Sequence, residues 1–131
     1  MKFARWSFLS AGIWGILVLT PLYFLEKKTG FDHPPAITHP EYYYGFVGIA
    51  LAWQVLFLTV ARDPERFRPA MPAAMIEKFS FVISTYALYA LGRVDSTMVA
   101  AASADLVLGT LFVVSFFKTG QKASVAGHNR A

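Results

Sequence analysis

Four apolar stretches, at residues 6–25, 42–61, 73–92 and 96–117, take up most of this 131-residue chain. Crossing a hydrocarbon core of about 30 Å needs about 20 helical residues rising 1.5 Å each. The first two stretches reach that length without one charged side chain, and the fourth holds a single one, Asp105. A soluble domain this small cannot bury so much apolar surface, so lipid must be the solvent. The expected fold is all-α: one polytopic membrane domain over residues 1–131, a four-transmembrane-helix antiparallel bundle. The polar, small-residue-rich segment 119–131 is expected to be a disordered tail.

A sequence pI of about 9.5 would suit nucleic acid, but the basic residues sit at the ends of the spans, where they report topology. Lys2 and Arg5, then Arg62, Arg66, Arg68 and Lys78, then Lys118, Lys122 and Arg130 carry nine of the 12 Lys and Arg. The two other connections hold Lys27, Lys28 and Arg93. By the positive-inside bias this split places both termini in the cytoplasm and the protein in the cell's inner membrane, with no nucleic-acid partner. The first stretch is expected to be a retained helix. Its apolar run is longer than a signal peptide's, and no small-residue cleavage site follows Leu25. The absence of cysteine excludes disulfide exchange and thiolate metal sites.

Local chemistry marks the boundaries. Thr38 stands three residues before Glu41, at capping-box spacing, and Pro40 suits a first helical turn. Asp63-Pro64-Glu65 starts a short turn after the second span, and Asp95 or Ser96 caps the fourth. The short connection there makes the third and fourth spans antiparallel neighbours. Pro21 should kink the end of the first span. Small residues recur every four positions in Ser7-Ala11-Gly15 and in Ala101-Asp105-Gly109, a spacing that permits close helix approach in lipid.

Few side chains in the spans can do chemistry. Asp105 lies about nine rises, roughly 13 Å, from the start of the fourth span, where a carboxylate is costly and should face the bundle. It reads as a polar tie to Arg93, Gln54, a serine or a tyrosine, or else as a proton relay or ligand anchor. Gln54 with Trp14, Tyr86 and Asp105 is a candidate pocket for a hydrophobic ligand such as a quinone, a lipid or a sterol. Glu77 and Lys78 are expected near the cytoplasmic interface, in an ion-pair cluster with Arg62, Arg66 and Arg68. Lys78 is expected to snorkel, and the two adjacent side chains are not expected to pair with each other. His33, His39 and Glu41 are candidate metal ligands by residue type. The spacing of the two histidines matches no standard site, so a proline-stiffened cap over the bundle mouth is expected instead.

No histidine falls within a span, which argues against a bis-histidine haem. There is no phosphate-binding loop and no nucleophile elbow. Small multidrug exporters of four spans use an acid in the first, where this chain has none. A proline near the end of the first span, a glycine-rich start to the second and a basic middle loop, over residues 6–119, resemble small bacterial membrane proteins of the broad DoxX-like kind. That resemblance implies a link to quinone-associated oxidoreductase systems or to membrane-complex assembly, and it carries over no site residue. From the sequence, the expected role is a non-catalytic accessory or structural subunit of a bacterial inner-membrane complex, or a homo-oligomer. The alternatives are binding or transport of a hydrophobic small molecule, and a lipid-modifying enzyme with Asp105 or Glu77 as acid. No cofactor is assigned.

Overall fold

A computed structural model describes residues 2–128, all of whose regular structure is helical. The helices are α1 (Lys2–Leu19), α2 (Glu26–Asp32), α3 (Pro40–Arg62), α4 (Met71–Ala90) and α5 (Ser96–His128). Arg130, counted above among the basic residues, lies outside the described residues.

Among the described residues, three segments are long and apolar enough to cross a membrane: Lys2–Phe24, Pro40–Arg62 and Ser96–His128. α4 has 20 residues, but Glu77, Lys78, Ser80, Ser84 and Thr85 make it less apolar than these. Pro21 does more than bend α1. It ends the α-helix at Leu19 and turns Thr20–Phe24 into a 3-10 helix, as expected where a ring removes an N–H from the ladder.

Two local expectations need correction. Thr38 does not cap α3: the helix starts at Pro40, its cap residue is His39, and Glu41 pairs with the His39 imidazole at 3.0 Å. Between the first span and α3 the chain forms α2, closed by a Lys28–Asp32 pair one turn apart. The tail is the second correction: residues 129–131 lie outside the described residues, and α5 continues to His128. Lys122 there reaches Glu65 of the middle loop at 2.7 Å, and its hydrogen bond and charge hold the Glu65 carboxyl below its ordinary pKa. Gly120 admits the Arg68 guanidinium, which a Cβ would meet at 2.6 Å. Contacts to the loop, absent from any one-dimensional reading, therefore extend the helix.

The helices pair as two hairpins. α1 packs along α3 and α4 along α5, and the pairs meet through α1 and α5, while α3 and α4 scarcely touch. The buried cluster lies wholly in the half nearer the termini. Ala4, Phe8 and Ala11 of α1 meet Phe57, Val60 and Ala61 of α3, Met71 and Ala74 of α4, and Phe112 of α5. Phe8 stacks on Phe112 with ring centroids 4.0 Å apart, and Phe57 stands edge-on to Phe112 at 5.0 Å. Those three rings form the aromatic centre of the buried cluster.

The opposite end is tied by its loops. The Tyr43 hydroxyl donates to the Leu22 carbonyl at 2.6 Å, and that of Tyr44 donates to the Glu26 carboxylate at 2.7 Å. Asp95 joins the two hairpins: one carboxylate oxygen bonds the His33 ring and the other accepts from the Met98 backbone N–H at 3.1 Å. The His33 bond, with help from the Met98 N–H, lowers the Asp95 pKa. A lowered carboxylate pKa favours the folded tie above the ordinary value and loses it as pH falls through the folded one. Met98 amide protection against hydrogen exchange should thus persist from neutral pH through the ordinary carboxylate range and fall only in more acid solution. Loss of protection already near pH 6 would mean that Asp95 ionisation does not control this cap.

Candidate functional site

Because α3 and α4 stand apart in the half away from the termini, a cleft of about 610 Å³ opens between them. Its walls are largely apolar: Trp14, Val18 and Leu22 follow α1 and its 3-10 extension, and Phe46, Ile49 and Trp53 stand on α3. Phe81 of α4 and Met98 and Ala101 of α5 complete them. That volume falls within the range of about 300–1,000 Å³ common to small-molecule sites.

Polar groups gather at the base of the cleft. Lys78 is only 4% exposed, and its ammonium lies 3.1 Å from Asp105 Oδ1 and 3.4 Å from Glu77 Oε2. The Phe57 ring lies behind it, with the ammonium 5.2 Å from its centroid. Gly109, one turn beyond Asp105, lets this pair form. A Cβ there would come within 3.2 Å of Lys78 Cβ, so α5 approaches α4 closely at the level of the ion pair. Both carboxylates border the cleft.

This geometry corrects the expected cytoplasmic ion-pair cluster. Lys78 turns inward to Asp105 instead of snorkelling, and Glu77 and Lys78 do approach each other. The Arg66 and Arg68 side chains are engaged elsewhere. Arg68 donates to the Phe116 carbonyl at 3.1 Å and lies over its ring, and Arg66 lies over the Phe67 ring. The Arg62 carbonyl accepts from Arg5. Glu77 is six rises, about 9 Å, along α4 from the loop that carries them. Asp105's charged partner is thus Lys78, not Arg93. Sequence spacing hinted at this only through Gly109, since a contact between helices 27 residues apart in the chain has no local signature.

Gln54, 1% exposed, packs against α1 where Gly15 leaves room: a Cβ at position 15 would sit 1.9 Å from Gln54 Oε1. Its Nε2 donates to the Ala50 carbonyl at 2.9 Å, which fixes the amide's orientation because a flipped amide would set two oxygens face to face. Gly15→Ala is expected to cost about 1–3 kcal/mol through overpacking. The companion change Gln54→Ala should recover most of it in a double-mutant cycle of unfolding midpoints. Additive losses would show that the two positions are not coupled.

Of the proposed ligand set, Asp105, Gln54 and Trp14 all border the cleft, and Tyr86 does not. The Tyr86 hydroxyl instead shares a 2.8 Å hydrogen bond with Ser103. The proposed metal ligands are drawn apart, His33 to Asp95 and His39 to Glu41, and among the described residues no three ligating side chains come together. No protein-family model, curated protein or solved structure matches this chain. Its function must be argued from these residues.

Proposed function

We propose that this protein binds or transports a hydrophobic small molecule, held in the cleft between α3 and α4. The cleft itself carries the proposal: an apolar chamber of ligand size with a compact polar group at its base. In this reading α4 also crosses the bilayer, since its Lys78 charge is met by Asp105 within the bundle. Four spans then leave both termini on the cytoplasmic side of the inner membrane, in keeping with the basic residues at that end. The cleft lies in the half toward the opposite face.

The reading predicts that native mass spectrometry of gently extracted protein finds one discrete small mass per chain. Ser84→Trp, which puts an indole into the cleft from an exposed position on α4, should remove that mass while the protein stays folded. Retention of the mass by the variant would count against the cleft as its site.

A second proposal, a non-catalytic subunit of an inner-membrane complex, rests on the apolar exterior. Trp6, Leu17, Val55, Ile76 and Ile83 are all exposed, on several helices. Lipid accounts for such a surface equally well, and the loose DoxX-like layout fits either role. The same mass spectrum distinguishes the two, since a subunit would carry defined protein partners and no small molecule. A lipid-modifying enzyme has less support, because both candidate acids share the Lys78 ammonium.

A further inference from the structure

We infer that the cleft selects a lipophilic cation: an apolar body with one positively charged head. The inference rests on the binding role proposed above and names its ligand class. Two observations point to it independently. The base of the cleft sets two carboxylates, Glu77 and Asp105, around a single ammonium, Lys78. With both carboxyls ionised, one negative charge has no counter-charge. The lining from α1 and α3 offers none, since Trp14, Gly15, Val18, Leu19, Leu22, Phe46, Ile49, Ala50, Trp53 and Gln54 include no ionisable side chain. The rest of the lining from α4 and α5 adds only serine and apolar residues.

The second observation concerns hydrogen bonding. Among the described residues, the buried side-chain polar atoms left without a hydrogen-bond partner are Gln54 Oε1 and Glu77 Oε2. Both are acceptor oxygens of residues lining the cleft, Gln54 Oε1 lying against Gly15 of α1 and Glu77 Oε2 being the atom 3.4 Å from the Lys78 ammonium. Gln54 Nε2 is bound to Ala50 and the hydroxyls of Ser80 and Ser84 to backbone carbonyls, so the Lys78 ammonium, shared between Asp105 and Glu77, is the donor that faces these carboxylates. Two carboxylates on one ammonium make the site richer in acceptors than in cations, which favours a cationic head over a neutral or anionic one. It offers little to a quinone, whose carbonyls only accept. Indole walls at Trp14 and Trp53 add faces on which a cation is attracted by the ring quadrupole. The volume suits one compact or single-chain molecule.

The two indoles also supply a readout. Protein in phosphatidylcholine nanodiscs is titrated with ω-bromodecylammonium, ω-bromodecanol and ω-bromodecanoate, whose bromine quenches nearby tryptophan. Trp6, exposed at the other end of α1, reports partition into the bilayer alone when Trp14 and Trp53 are replaced by phenylalanine. After that correction the ammonium compound should quench at least ~10-fold more tightly than the alcohol, and the carboxylate least of the three. Glu77→Gln and Asp105→Asn each make the ion group neutral, and each should abolish the preference. Using both guards against one variant misfolding.

Equal quenching by all three compounds would overturn the cation inference and leave the cleft as a binding site. Quenching by none above the Trp6 background would overturn both. A preference that survives in both variants would show that the two carboxylates do not cause it, and would also overturn the inference.

Discussion

Replacing Lys78 by methionine should destabilise the bundle by about 3 kcal/mol, the lower end of what breaking a buried ion pair costs. The methionine fills similar space, so the loss comes from charge. Glu77 and Asp105 would face each other with no cation between them, in a setting where they now share one at 3.4 and 3.1 Å. The lower end applies because their side chains remain 18% and 20% exposed at the cleft, where water and protons can relieve them. The measurement is the unfolding midpoint in mixed micelles of rising denaturing-detergent content. A triple variant, Lys78→Met with Glu77→Gln and Asp105→Asn, should regain most of the loss, because it removes the charges together. If the triple variant is no more stable than Lys78→Met, the ammonium matters through packing and not through charge.

The second large effect is expected at Phe57, which is fully buried and joins the ring cluster to the ion group. It touches Phe8 and Phe112 on one side and lies 5.2 Å from the Lys78 ammonium on the other. Phe57→Ala should cost about 3–5 kcal/mol through lost contacts and the cavity left behind. Phe57→Leu, which fills more of the space, should cost clearly less. Equal losses for the two in the same unfolding assay would mean that ring packing does not close this end of the bundle.

How far the sequence foretold these features varies with the range of the interaction. Helices follow from local composition, so their existence and rough extent could be read from the apolar runs. Asp95 as a cap, Pro40 at a helix start and the close approach over Gly15 and Gly109 are likewise local or periodic signals. Lys78 is the contrary case. Its position near one end of an apolar run suggested a side chain reaching for the interface. It turns inward because Asp105 stands opposite on another helix, a fact no spacing along α4 contains. Tyr86 was likewise grouped with the pocket by residue type, whereas a hydroxyl on α5 draws it away. The helical tail escaped notice for the same reason: its anchors, Glu65 and Arg68, lie in a different part of the chain.

The cluster of three rings near the termini has a consequence for traffic through the bundle. Phe8, Phe57 and Phe112 do not line the cleft but pack behind the ion group at its base, so in that direction a molecule in the cleft meets packed core and not a channel. Passage to the other side would require these rings to part, and with them the contact between the Phe57 face and the Lys78 ammonium. The ion group at the base of the cleft and the ring cluster behind it therefore meet at a single side chain, Phe57.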